Sequence, residues 1–175
     1  MRHVEIILSA AVDPYFKAWT IAAIAIEGAE LEEAAIETTC LPAGLKVRMG
    51  KFYSDFSRHN RQHTHEWDFV DPSLINNRIF GDHGLNDVGL QLSWLAPTDF
   101  YLLSGVELYQ GDNEISFAYD GDDPLPRRRG PRVFTGWIRG APGLPERHGL
   151  EIGGFGGTGV HQEVHDGNAD GTRDH

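Results

Sequence analysis

Cysteine occurs once, at Cys40, so the chain cannot close an internal disulfide. Basic residues are scarce, 15 against 26 acidic ones, and the formal net charge of −11 argues against the basic patch that a nucleic-acid partner needs. No apolar run approaches about 18 residues, which excludes a helical membrane span but not a span made of strands. A secretory leader needs a basic start followed by about 7 to 15 continuous apolar residues, and Glu5 interrupts the one candidate run, Met1 to Leu8. Catalytic signatures are missing too. There is no Gly-x-Ser-x-Gly elbow, no Gly-x-x-x-x-Gly-Lys phosphate loop and no dinucleotide fingerprint after a strand, so the sequence predicts no enzyme.

What the chain has is alternation. Short segments, about eight of them, carry apolar residues at every second position, the period of a strand whose two faces meet different surroundings. Leu45, Val47 and Met49 alternate with Lys46 and Arg48 over Leu45 to Tyr53. Ala34, Ile36 and Thr38 alternate with Glu33, Ala35 and Glu37 over Glu30 to Thr39. Val4, Ile6 and Leu8 alternate with Glu5, Ile7 and Ser9, and Leu90, Leu92 and Trp94 with Gly89, Gln91 and Ser93. Phe100 to Gln110 and Arg132 to Gly140 read as strands, and Leu150 and Ile152 flank Glu151 in another. Lys17 to Ile26, apolar on both faces, reads equally as a strand or a buried helix. Gly153 to Gly157 reads as a strand end that eases packing or a bend.

The connections alternate as well. Asp13 to Phe16, Leu41 to Gly44, Ala96 to Asp99 and Ala141 to Pro145 are short and carry proline. The links on the other side are a tight turn at Glu27 to Ala29 and long stretches over Ser54 to Asp87, Gly111 to Pro131 and beyond Thr158. The expected fold is therefore all-β, an antiparallel up-and-down meander forming part of a transmembrane β-barrel, with a long loop that has room for a short helix. A four-residue turn at Leu41 to Gly44 pairs Cys40 with Leu45 and sets Glu37 opposite Arg48. Tyr15, Phe16, Trp19, Trp94, Phe100 and Tyr101 gather near the short turns, where a membrane girdle would sit. Aromatic packing in the core of a soluble sandwich is the alternative.

Two stretches carry a family likeness. They are Arg58-His59-Asn60-Arg61-Gln62-His63-Thr64-His65-Glu66-Trp67-Asp68-Phe69-Val70-Asp71-Pro72 and Phe80-Gly81-Asp82-His83-Gly84-Leu85-Asn86-Asp87-Val88-Gly89-Leu90-Gln91-Leu92-Ser93-Trp94-Leu95-Ala96-Pro97. With the Leu41-Pro42-Ala43-Gly44-Leu45 turn and Gly50-Lys51-Phe52, they resemble Gram-negative outer-membrane porin-like proteins, also described as zinc-regulated porins. The resemblance implies a bacterial outer-membrane location, contact with lipid and lipopolysaccharide, and passive diffusion of small polar solutes or ions; a homo-oligomer is left open. The export signal and closing strands of such barrels are not found, so residues 1–175 are expected to be one partial barrel domain lacking N- and C-terminal strands.

If one face lines a passage, Glu5, Glu33, Glu37, Lys46, Arg48, Gln91, Ser93, Glu107 and Glu151 are its lining. The link from Ser54 to Asp87 exceeds the length at which loops are usually functional or mobile. An inward fold would make it a constriction through Arg58, Arg61, Asp68, Asp71 and Arg78, since patches of charge sort ions; a solvated outer loop is the alternative. His63, His65 and Asp68 are candidate ligands for a transition metal such as zinc. Asp166, Asn168 and Asp170 fit the first positions of a calcium loop, without the glutamate at position twelve. No cofactor is otherwise expected. The rival function is a soluble or surface β domain binding a transition metal through residues 58–83, and hydrolysis would need two metals beside His63, His65 and Asp68.

Overall fold

The structure, a computed structural model, describes residues 4–25, 28–57, 60, 84–111, 131, 133–141 and 152–159. Eight strands follow one another in a single antiparallel sheet whose spatial order is the chain order: β1 (Val4–Asp13), β2 (Phe16–Ala25), β3 (Gly28–Thr38), β4 (Leu45–Tyr53), β5 (Asn86–Leu95), β6 (Tyr101–Tyr109), β7 (Val133–Ala141) and β8 (Ile152–Gly159). The sheet is open. Among the described residues no strand pairs with the free edges of β1 and β8, and no helix is long and apolar enough to cross a membrane. The β4 boundaries and the Glu37 to Arg48 pairing agree with the register read from the sequence. β2 is a strand rather than a helix, and the glycine-rich Gly153 to Gly157 run lies inside β8 rather than at its end.

Period two then sorts the side chains. One face carries Val4, Ile6 and Leu8 of β1, Phe16 and Ile24 of β2, Leu45, Val47 and Met49 of β4, Leu90, Leu92 and Trp94 of β5, Val106 of β6, and Phe134 and Ile138 of β7. All are exposed or half-buried, Leu8 to 61% and Ile138 to 52%. A soluble sheet would cover such a face with a second layer. Here the described residues put none on it, and the apolar surface runs across the whole sheet.

A bulge in β3 protects this sorting. Ile21 pairs with Glu33 but Ala22 pairs with Leu31, leaving Glu32 as an extra residue. A bulge changes the parity of everything beyond it. Strict alternation would have sent Glu30 to the apolar face and Leu31 to the charged one; with the bulge, Leu31 joins Ala22 and Ile24 outside while Glu30 shares the inner parity of Ala23 and Glu5. Lys51, an outward-facing cation, reaches back with its Nζ to donate to the Leu31 carbonyl at 2.6 Å, beside the bulge.

The short connections gather at one rim. Asp13 Oδ1 accepts from the backbone N–H groups of Tyr15 and Phe16 at 2.6 and 2.8 Å, an aspartate-closed turn between β1 and β2. Thr39 ties the next turn to it, donating through its N–H to the Tyr15 carbonyl at 2.8 Å and through its hydroxyl to the Pro14 carbonyl at 2.7 Å. Between β3 and β4 the chain makes a 3-10 turn over Pro42–Gly44, with Ala43 at φ 60° and Gly44 at φ 74°. A side chain at Gly44 would collide with the Leu95 carbonyl, so glycine is required there on two counts.

On the inner face, large rings lie over glycines of the neighbouring strand. Trp137 covers its cross-strand partner Gly105, and Tyr109 covers Gly89. Rings laid flat in this way shield the bare backbone of a glycine and fill the space its missing side chain leaves. Gly105→Val would force the Trp137 ring off the wall at a cost of about 1–3 kcal/mol, as other overpacked sites show. Urea unfolding is expected to show a lower midpoint for that variant. Gly154→Ala, whose new Cβ meets nothing within 4 Å, should leave the midpoint in place; equal effects would mean that the ring does not sit there.

Candidate functional site

One row of cross-strand partners runs unbroken through all eight strands: Ala11, Lys17, Glu37, Arg48, Gln91, Glu107, Thr135 and Gly157. Its charges alternate in sign from β2 to β4, the arrangement that favours rather than opposes pairing. Arg48 holds Glu37 at 3.5 Å, and Lys46 holds the same carboxylate at 3.4 Å. The Arg48 guanidinium also lies 5.3 Å from the Trp19 ring and 5.5 Å from that of Phe52, where the faces of the π systems attract a cation.

Directly after β4 the chain turns onto this charged face. Ser54, Asp55 and Phe56 are buried there as a strap. The Asp55 carboxylate accepts from Arg48 Nη1 at 3.2 Å and from Gln91 Nε2 at 2.8 Å. The Asp55 carbonyl accepts from Arg139 Nη2, and that guanidinium stacks 4.4 Å over Trp137. Phe56 packs on Phe155 of β8 with ring centres 4.8 Å apart. The strap therefore bears on β4, β5, β7 and β8 at once.

Beneath it, Glu107 is wholly buried. Its Oε1 accepts from the Asp55 N–H at 2.8 Å, Gln91 Nε2 at 2.8 Å and Trp137 Nε1 at 3.1 Å, while Oε2 accepts from the hydroxyls of Ser54 and Thr135. Five donors on one carboxylate offset the cost of removing it from water, which for an unsatisfied group would run to several kcal/mol.

Asn60 closes the base of the strap. Its Nδ2 donates to the Ser54 carbonyl at 2.8 Å and to the Leu85 carbonyl at 3.1 Å, while its Oδ1 accepts the Leu85 N–H at 2.7 Å. Ser54 N–H donates to the Leu85 carbonyl at 2.9 Å. One buried amide thus joins both feet of the long connection between β4 and β5. Between the strap and the short-turn rim a hollow of about 580 Å³ remains, lined in part by Trp19, Lys46, Arg48, Ser93, Tyr101 and Arg139.

The expected lining residues Glu5, Glu33, Glu37, Lys46, Arg48, Gln91, Ser93 and Glu107 all share one face. Their exposure differs from the expectation in one respect: Glu107, Gln91 and Ser93 are buried, at 0, 1 and 7%, and the strap bonds to the first two, so at that level the surface presented is the strap itself. Two girdle candidates are also corrected. Trp19 points inward and donates through Nε1 to Glu33 at 2.7 Å, and Tyr101 shares the inner parity of Leu103 and Glu107. Trp94 does face outward, its Nε1 donating to the Ala43 carbonyl at 3.0 Å. Glu151, the constriction candidates Arg58, Arg61, Asp68, Asp71 and Arg78, and the metal candidates His63, His65, Asp166, Asn168 and Asp170 lie outside the described residues. Among the described residues no group of three or more His, Cys, Asp or Glu is placed to hold a metal.

Sequence reasoning missed Thr135, Arg139 and Asn60. The first two were within its reach, since Thr135, Trp137 and Arg139 alternate with Phe134 and Ile138 along β7. Asn60 carries no such signal.

The chain is 40% identical over 144 residues to an uncharacterized protein of Aquifex aeolicus (strain VF5). The match takes in 79% of this chain but only 30% of that protein, so the chain spans about 30% of the length of the curated relative it matches. No family model matches the chain. No solved structure matches it either.

Asn60→Ala should loosen the feet of the strap, because the Ser54 carbonyl and the Leu85 N–H lose the Asn60 amide while buried, each worth about 1–3 kcal/mol, and the Leu85 carbonyl keeps only the Ser54 N–H. Hydrogen exchange at the Ser54 and Leu85 amides is expected to accelerate in the variant. Unchanged protection at both would show that the backbone contact between Ser54 and Leu85 suffices alone.

Proposed function

We propose that this chain forms part of the wall of a bacterial outer-membrane β-barrel that lets small polar solutes or ions diffuse passively, with the strap narrowing the way. The observation that carries this reading is the division of the sheet into two faces. One is predominantly apolar over eight strands and, among the described residues, uncovered; the other carries charge and receives the strap. Contiguous apolar patches beyond a few hundred Å² are rare on soluble monomers and mark contact with a partner or a membrane. Strands of 8–11 residues suit this use, since about 9 to 11 tilted residues cross a bilayer. Unpaired strand edges are too costly in hydrocarbon, so the wall needs a strand against β1 and another against β8.

Within such a wall Lys17, Glu37 and Arg48 of the row, together with Asp55 of the strap, set the field a solute meets. Lys46 and Arg48 bring positive charge into the hollow; Glu33 and Asp55 bring negative charge. Rings and patches of fixed charge sort ions by sign. No bond is made or broken, and the chain acts by shape and potential alone. The resemblance noted for residues 58–72 and 80–97 points the same way.

The test uses the full-length protein in planar lipid bilayers. Stepwise conductance is expected, and Arg48→Glu, which replaces a cation beside Glu37 and Asp55 with a third carboxylate, should raise the preference for cations. A protein that fractionates without detergent and gives no current would overturn the reading, and conduction with unaltered ion preference in Arg48→Glu would remove that arginine from the passage.

A further inference from the structure

The strap is held in register by one side chain more than by any other. Glu107 receives both of the strap's first two residues, the Ser54 hydroxyl and the Asp55 N–H, on separate carboxylate oxygens. The same two oxygens take Gln91 from β5 and both Thr135 and Trp137 from β7. Glu107 itself stands on β6, between those strands. The three strands and the strap therefore share one acceptor, and Gln91 Nε2 bridges that acceptor to the Asp55 carboxylate.

We infer that Glu107 is a positioning residue which, by fixing Ser54 and Asp55 against the wall, sets both the aperture and the ion preference of the passage; the inference rests on the transport reading above. It acts at one remove. Buried under the strap, the Glu107 carboxylate cannot meet a solute, so its influence runs through the Asp55 carboxylate, which it keeps beside Arg48. Without Glu107 the five donors lose their acceptor, the Asp55 N–H among them, and the strap has reason to lift towards water. Lifting withdraws one negative charge from Arg48 and opens the space that Ser54 to Phe56 fill.

Two substitutions separate position from charge. In Glu107→Gln the amide oxygen can still accept from the Asp55, Gln91 and Trp137 N–H groups, and the hydroxyls of Ser54 and Thr135 can turn to accept from its NH₂. The strap should stay, and conductance with it. Glu107→Ala offers no acceptor at all. In bilayers it is expected to give a higher single-channel conductance than the unaltered protein and a reversal potential shifted towards anions, with Glu107→Gln close to the unaltered values. If both substitutions shift the reversal potential alike, Glu107 works as a charge in the field and the positioning role is wrong.

Hydrogen exchange gives a reading that needs no variant. The Asp55 amide of the unaltered protein, donating to a buried carboxylate, should exchange among the slowest outside the strands, and fast exchange there overturns the inference even if Glu107→Ala fails to assemble. The two proposals also fail differently: an unaltered protein that does not conduct but protects Asp55 loses its transport role and keeps its latch.

Discussion

The Glu107 carboxylate is the point on which the inner face depends, because it turns a set of mutually unsatisfied donors into a closed network. Removing any one donor costs a hydrogen bond whose net value is about 0.5–1.5 kcal/mol, whereas removing the acceptor strands all five at once. That asymmetry explains why a carboxylate tolerates full burial here, and it ties the strap to β5, β6 and β7. Around this centre, Arg48 and Arg139 grip the two ends of Asp55, one at its side chain and one at its carbonyl. The aromatic rings of Trp137 and Tyr109, lying over glycines, complete the layer without adding bulk above it.

The two faces of the sheet solve opposite solvation problems with the same backbone. Outward, each strand offers apolar side chains and the hydrogen bonds of the ladder are used up between strands, which is the condition for a wall in contact with hydrocarbon. Inward, charges are matched in rows, so that Lys17, Glu37 and Arg48 each find an opposite sign on the adjacent strand. Neither arrangement requires the other chemically. They are coupled by parity, since a one-residue slip in any strand would exchange its two faces.

Much of this was legible in the residues. The β4 limits, the pairing of Glu37 with Arg48 and the segregation of short and long connections follow from alternation and turn chemistry, both local. Where alternation fades, the reading becomes ambiguous: β2 is apolar on both faces and reads equally as strand or buried helix, and β8, with glycines at five of eight positions, has almost no side chains to alternate. Trp19 and Tyr101 lie near turns, as girdle residues would, but parity decides their side and sends both to the charged face. The strap was beyond reach for a different reason. Ser54 and Glu107 are 53 residues apart, and nothing in the neighbourhood of either announces the other.

The bulge at Glu32 has a consequence for how this sheet can tolerate change. Glu32 has no place in the pairing between β2 and β3, and drawing it into the ladder would send Glu30 to the apolar face and Leu31 to the charged one. Deleting it does the opposite: Glu33 then follows Leu31 directly, and Leu31 and Glu30 keep the partners Ala22 and Ala23 that they already have. The spare residue is therefore slack that the strand can give up, and a one-residue loss at this point closes the bulge without turning any other side chain over.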